Sequence, residues 1–522
     1  MNVGVLVDQF DRLGDPPAAV PVLRKFILDL AVRGMLAEQA PEDEPAQELI
    51  TRLEVHATSQ YASLLPRAGS QAPPFGLPPT WAWAPLRTLF EYDASIKREP
   101  NQLKGDWWLL DLEDIEKDSG RLLSRRLVRE TPPKSTKSEF APGDILYGKL
   151  RPYLNKAIVA DRPGYSTTEI VALRPRVPMC SEYWSIVLRQ SRFSQHVTEL
   201  GRGTKMPRLR TDDALQATLP VPPVAEQARI VAKVEEMEVL CDQLEVAQAG
   251  REQRRRGLRI ASLTRLVASA EAGVEVGKGQ EAAHFYLKHS DRMVTAPDHL
   301  ADVRAAILDL AVTGRLSSGR SIAWEKTTLG AMSEWITSGS RGWAAYYAKS
   351  GAAFLRAQNV RFGRLSLGDL GHVNPPAGAE GVRTRIAVND IVVVITGAGV
   401  TNPALVDLDL GEAYVSQHLA LARPVRTEQA RWILLWLLAQ AGGRNALVDR
   451  AYGAGRPGLN LDNLRSLPIA VPPVDEQRRA VAKVDELLGA CNQLESALTT
   501  GETGRVKLLE AALEEALGRR LD

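Results

Sequence analysis

The sequence predicts an α+β chain in which two mixed globules are separated by two long antiparallel helices, in a pseudo-two-fold cyclic arrangement. Two repeats and their order predict it. "VPPVAEQARIVAKVEEMEVLCDQLE" (Val221 to Glu245) returns as "VPPVDEQRRAVAKVDELLGACNQLE" (Val471 to Glu495), with 16 of 25 positions identical at an offset of 250. "RKFILDLAVRGML" (Arg24 to Leu36) returns as "RAAILDLAVTGRL" (Arg304 to Leu316), with nine of 13 identical at an offset of 280. We call the short repeat the socket and the long one the rod. The order is socket, variable segment, rod, then socket, variable segment, rod. Closing that order into a ring gives a two-fold cycle, so the chain reads as two copies of one half-unit. At 522 residues it exceeds what one core accommodates.

The rods read as helices. Apolar residues at Ile230, Val234, Met237, Cys241 and Leu244 alternate four and three apart, an a/d heptad seam. The second rod repeats the seam at Ala480, Val484, Leu487, Cys491, Leu494 and Leu498. Pro222-Pro223 and Pro472-Pro473 end any preceding strand. Glu226 and Glu476 follow in the first turn, where a carboxylate favours the positive helix end. A narrow apolar stripe needs a partner, and the economical one is the other rod, packed antiparallel.

Between socket and rod lie Trp81–Pro220 and Trp324–Val471, rich in short β-type runs such as "GDILYGKLRPYL" and "NDIVVVITGAGV" and punctuated by Gly, Pro and Asp. Helical stretches such as "EYWSIVLRQSRFSQHVTEL" and "EQARWILLWLLAQAGGRNALV" interrupt them. The two segments share a skeleton: Gly143-Asp144-Ile145 matches Asn389-Asp390-Ile391, Arg174-Pro175 matches Arg423-Pro424, and Leu209 matches Leu459. Most residues between these anchors differ, which means one fold with two reading faces. The expected division is 1–80 helical, 81–222 first globule, 223–322 central helical region, 323–472 second globule and 473–522 final helix.

Composition excludes several classes. No uncharged apolar run reaches the ~18–20 residues of a membrane span. The acidic N-terminus "MNVGVLVDQFDRLGD" does not look like a signal peptide, so a cytoplasmic protein is expected. Three cysteines, Cys180, Cys241 and Cys491, make no disulfide framework, and the latter two occupy equivalent rod positions as small core residues. The net charge of +2 announces no nucleic-acid binder, yet Ala141–Arg210 holds twelve Lys or Arg against five Asp or Glu. On charge alone, a solvated surface explains that patch equally well.

The rod phrase "PPVAEQARIVAKVEE…CDQLE", the socket "ILDLAV.G.L", and the phrases "GDILYGKLRPYLNK" and "GTKMPRL" resemble the specificity subunit of type I restriction–modification systems. The likeness covers nearly the whole chain. It implies two target-recognition domains, each reading half of a split double-stranded DNA site. The two helices would hold them apart and dock two modification subunits that methylate adenine N6, with restriction/translocase subunits added and no membrane partner. The resemblance assigns no cofactor to this chain; S-adenosylmethionine, ATP and Mg2+ would belong to the partner subunits. The rival readings are an orphan DNA-binding decoy or a protein scaffold.

Catalytic motifs are missing from the sequence. An adenine methyltransferase needs an acidic or amide side chain, two prolines and an aromatic; Asn374-Pro375-Pro376 is followed by Ala377 instead. "GRGTKMP" lacks the P-loop spacing. The histidines show no metal-ligand pattern, and His284 and His289 read as part of a linker. The expected role is recognition without catalysis.

Base edges call for Arg or Lys at guanine and Asn or Gln at adenine, while phosphates take Lys, Arg, Ser and Thr. In the first globule the candidates are Lys149, Arg151, Tyr153, Asn155 and Lys156 in one loop and Arg202, Thr204, Lys205 and Arg208 in another. In the second they are Ser338, Ser340, Arg341 and Trp343; Arg356, Gln358, Asn359 and Arg361; Thr396, Thr401 and Asn402; Ser416, Gln417 and His418; and Arg456. Polar residues gathered at glycine-rich loops favour a binding face. The tract Arg251–Arg259 on the first rod reads as a solvated face or a subunit contact.

Overall fold

Each proline pair gives way to one uninterrupted helix: Val224–Glu271 after the first pair, Val474–Gly518 after the second. The computed structural model describes residues 19–57, 75–200, 206–271, 276–316, 324–339, 341–376, 382–452 and 458–518. The chain divides into two units, residues 1–250 with 504–522, and residues 251–503. Each long helix therefore starts in one unit and ends in the other. Among the described residues no helix is long and apolar enough to cross a membrane, and no His/Cys/Asp/Glu group could hold a metal.

The repeated phrases encode contacts within a unit. The first socket forms the helix Ala19–Val32, the second Leu300–Val312. Arg24 ion-pairs with Glu238 and Asp242 of the first long helix, and Arg304 in the same way binds Asn492 and Glu495 of the second. Socket Asp29 accepts from the Ser191 amide; its counterpart Asp309 accepts from Ala441 N at 2.9 Å. Burial raises the Asp29 pKa, with the Ser191 hydrogen bonds opposing it. Gly34 and Gly314 end the sockets at φ 67° and 77°, a left-handed turn that glycine adopts without a Cβ penalty. A Cβ at Gly314 would also meet Trp324 at 3.0 Å.

The Pro-Pro-x-x-Glu-Gln phrase closes the same joint. Gln227 Nε2 donates to Pro222 O and Gln477 Nε2 to Pro472 O, so each glutamine satisfies a carbonyl just ahead of its helix. Glu226 accepts from Trp81 Nε1 at 2.9 Å and from Gln39. Burial raises its pKa, and these two donors offset only part of that rise.

The expected rod-against-rod seam is therefore corrected in part. Ile230, Val234, Met237, Cys241 and Leu244 are buried in one cluster with Val20, Leu23 and Phe26 of the socket and with the first globule. The second long helix reaches that cluster through Leu509 and Leu513. In the other unit Ala480, Val484 and Cys491 pack with Leu300, Ile307 and Trp432, and Leu487 is partly buried there. Leu494 is instead 44% exposed, while Leu498 beyond it is again partly buried against the cluster. Cys241 and Cys491 are buried free thiols, and burial pushes the Cys241 pKa up to about 11. His284 and His289 lie on the helix Val276–Met293 and not in a linker.

Both globules use one strand frame. In the first, the frame strands are β1 (Ala82–Pro85), β2 (Phe90–Tyr92), β3 (Ile145–Gly148), β4 (Ala157–Val159), β5 (Ile170–Pro175) and β6 (Thr218–Val221). In the second they are β7 (Glu325–Thr328), β8 (Ser333–Ser338), β9 (Ile391–Val394), β10 (Pro403–Leu405), β11 (Leu419–Pro424) and β12 (Pro468–Val471). β1 pairs with β6 and β7 with β12, so an antiparallel pair closes each globule at its base. The main sheets run β2-β5-β3-β4 and β8-β11-β9-β10, antiparallel throughout. The shared anchors have one job. Asp144 and Asp390, each 1% exposed, accept bidentate hydrogen bonds from Arg174 and Arg423. A buried carboxylate is tolerable only when so paired. Gly143 and Asn389 precede them at φ 85° and 74°.

Candidate nucleic-acid interface

The loop joining β3 to β4 and the loop joining β9 to β10 are framed by the same backbone hydrogen bonds. Gly148 N donates to Lys156 O, and Val394 N to Asn402 O. Lys149 N donates to Glu169 O at 3.0 Å, and Ile395 N to His418 O at 2.9 Å. Leu209 N donates to Lys149 O, and Leu459 N to Ile395 O, which explains the shared leucine. Bridges Leu150↔Arg208 and Thr396↔Gly458 complete the frame. Left-handed residues shape both loops: Arg151 (φ 52°) and Asn155 (φ 53°) in the first, Gly397 (φ 93°), Gly399 (φ 80°) and Thr401 (φ 73°) in the second. A non-glycine residue there costs of order 1 kcal/mol or more, and such strain gathers at functional loops.

Side chains on this frame differ completely. In the first globule Lys149 and Arg151 are half-buried and Tyr153 is exposed. The Arg151 Nε is buried with no hydrogen-bond partner among the described residues. Arg208 is exposed and pairs with Glu169. In the second globule Thr396, Gln417 and His418 are exposed together. Thr396 Oγ1 lies 2.6 Å from His418 Nδ1, and Gln417 Nε2 lies 3.3 Å from His418 Nε2. Leu355 O accepts from Ser416 N, so Arg356 starts beside this cluster. Arg356 donates to Asp369 O and Gln358 to the Asp369 carboxylate. Arg341 and Arg361 are exposed, Ser338 and Asn402 half-buried.

Several candidates are turned inward instead. Asn155 is buried, and its amide donates to Arg189 O at 2.6 Å. Lys156 Nζ donates to Leu112 O, and burial lowers its pKa. Trp343 is core, stacked on Phe354 at 5.8 Å and tilted against Tyr414 at 5.0 Å between ring centroids. Asn359 is buried, accepting from Arg356 N and donating to Ser366 O and Asp369 O. Thr401 and Ser416 are buried beneath their loops. Arg202, Thr204, Lys205, Ser340 and Arg456 lie outside the described residues. Glu169 and Asp369 were missed; they sit 39 and 11 residues from the side chains they hold, and no local pattern marks them.

The basic stretch Ala141–Arg210 is less bare than its count implies. Arg174 and Arg162 are paired with aspartates. Arg189 is half-buried, and the desolvation of its guanidinium pushes its pKa down to about 10. In the tract on the first long helix Arg254 and Arg256 are exposed. Arg259 is buried, donating to Asp302 and to Met293 O.

Comparison with known proteins gives one consistent answer. No family model matches the chain. It is 24% identical over 572 residues to the type I restriction enzyme EcoAI specificity subunit of Escherichia coli, spanning 95% of this chain and 93% of the relative. The EcoEI specificity subunit of the same organism is 22% identical over 575 residues, with the same coverage of both chains. A solved chain from a study of assembly and conformational transition in the type I R-M system aligns with a TM-score of 0.53 and 19% identity. It covers 85% of this chain and 99% of that one, which is agreement in fold.

Proposed function

We infer that this chain belongs to the specificity subunits of type I restriction–modification systems, and that it recognises a bipartite, asymmetric DNA site for partner subunits that do the chemistry. The observation that carries this reading is one backbone frame, built twice, bearing two unrelated sets of exposed side chains. Residues 81–222 would then read one half-site and residues 323–472 the other. Modification subunits would dock on the helical part and methylate adenine N6 with S-adenosylmethionine; restriction subunits would bring ATP and Mg2+. A DNA substrate gives the chain a cytoplasmic place.

In the first domain Lys149, Arg151, Tyr153 and Arg208 form the contacting set; in the second, Thr396, Gln417, His418, Arg356 and Arg361. The inward residues Asn155, Asn359, Thr401 and Ser416 support the loops from beneath. Each phosphate neutralised releases counterions, so binding falls with salt at a slope of about 0.9 per contact. Replacing Lys149 and Arg151 together by alanine should weaken DNA binding and make the slope shallower by up to about two units. The measurement is a salt titration of the full chain, co-expressed with its modification subunits, on duplex DNA. An unchanged slope would place this loop away from DNA and overturn the assignment.

A further inference from the structure

The position just ahead of β5 and its twin ahead of β11 hold the same place in the frame and unlike residues. Glu169 and His418 each give their carbonyl to the first residue of the reading loop. Glu169 faces Arg208; His418 faces Thr396 and Gln417. Constant backbone beneath changed chemistry is what a position that sets sequence preference requires. We propose that Glu169 is a positioning residue for base recognition, fixing the Arg208 guanidinium so that it reads a guanine in the first half-site. This rests on the reading that the loop face of this domain meets DNA.

The geometry gives the reason. Arg208 Nε donates to Glu169 Oε2 at 3.0 Å and Nη2 to Oε1 at 2.8 Å. The carboxylate thus occupies the Nε/Nη2 edge of the guanidinium. Among the described residues the Nη1/Nη2 edge remains, with two parallel N–H donors, the pattern that matches guanine O6 and N7 in the major groove. The Arg208 side chain is 56% exposed and that of Glu169 only 24%, so the anchor is the inner partner and the fork the outer one. Three backbone bonds brace the site: Lys149 N to Glu169 O, Leu209 N to Lys149 O, and Arg151 N to Pro207 O at 2.7 Å.

An ordinary surface ion pair has the same distances, so the test must separate orientation from charge. The full chain with its co-purified modification subunits is offered a pool of randomised duplex DNA at fixed salt, and the bound fraction is sequenced. The wild type should show one G·C position whose preference, roughly 5- to 150-fold for a bidentate contact, depends on Arg208. Arg208→Lys keeps the charge and loses the fork, so that preference should fall below about threefold while the other positions keep theirs. Glu169→Asp keeps the charge but withdraws the carboxylate by one methylene, and should lower the same position by about fivefold or more. Glu169→Gln should do likewise and, by freeing Arg208 for phosphate, steepen the salt slope by up to about one unit. Thermal melting of each variant guards against misfolding, and Arg208→Lys, at an exposed site, carries the test if a Glu169 variant melts early. If Glu169→Asp leaves the preference intact while Arg208→Lys removes it, Glu169 does not position the arginine. If both leave every position unchanged and only the slope moves, Arg208 holds a phosphate; either result overturns the proposal. A wild type without base preference in that half-site, whose binding also ignores Lys149 and Arg151, overturns the underlying DNA reading instead.

Discussion

Replacing Leu509 and Leu513 by alanine should unfold the unit that begins at the other end of the sequence. Both leucines are buried in the cluster that holds the first socket helix, the Val224–Glu271 helix and the first globule. A buried Leu→Ala change costs about 2–5 kcal/mol through lost transfer energy and the cavity left behind. The two sites are one helical turn apart and couple, so the pair should cost at least about 3 kcal/mol, a large share of a unit's stability. Amide hydrogen exchange separates the units. The β3 amides (Ile145–Gly148) should exchange at least about 100-fold faster, while those of β9 (Ile391–Val394) stay protected. Faster exchange confined to residues 504–518 would mean that this segment frays without supporting the core.

Exchanging residues 325–471 for those of a relative with a different target should replace one half-site and leave the other intact. The boundaries follow the frame: β7 and β12 pair with each other, so a graft cut at their ends keeps the closing pair within one parent. Arg304, Glu476 and Gln477 of the joint lie outside the graft, and socket Asp309 is met from within it by a backbone amide, Ala441 N, which any residue but proline supplies. Each mismatched base pair costs roughly 1–3 kcal/mol, so two changed pairs cost about 30-fold or more in preference for the old half-site. Sequencing of methylated sites in cells carrying the chimera reads both halves at once. A change in both halves would show that the two domains do not read independently.

The repeats made the architecture legible because their residues bind one another within a unit. Arg24 and Arg304, Asp29 and Asp309, and Gln227 and Gln477 make equivalent hydrogen bonds in the two copies. Identity at both positions followed from identity of the joint. Heptad spacing marked faces that are buried at most positions, Leu494 excepted, but it could not say what covers them; a socket helix is the answer for most of the seam. The loops were harder. Asn155 looked like a base reader because it is polar and follows a glycine-rich strand end. Its amide is committed to Arg189 O, 34 residues away, a partner that sequence spacing does not announce. Trp343 sat among serines and glycines, yet Phe354 and Tyr414 draw it into a core. Glu169 escaped notice because nothing near it in sequence marks its partner. Whether a loop side chain points in or out is decided by non-local partners, and that information is spread along the chain.

The division of each long helix between two units also sets an order of events during synthesis. The first unit needs Leu509 and Leu513, and about 250 residues separate its main body from the segment that bears them. At roughly 5–20 residues per second, a ribosome takes on the order of 10–50 s to cross that interval. For that time the nascent first unit has its own socket, globule and rod but part of its cluster uncovered. The second unit meets no such delay, since residues 251–503 emerge as one stretch. The half made first is thus the half finished last. Ribosome-bound chains stalled before residue 504 should therefore be the form in which this protein is most open to chaperones and proteases.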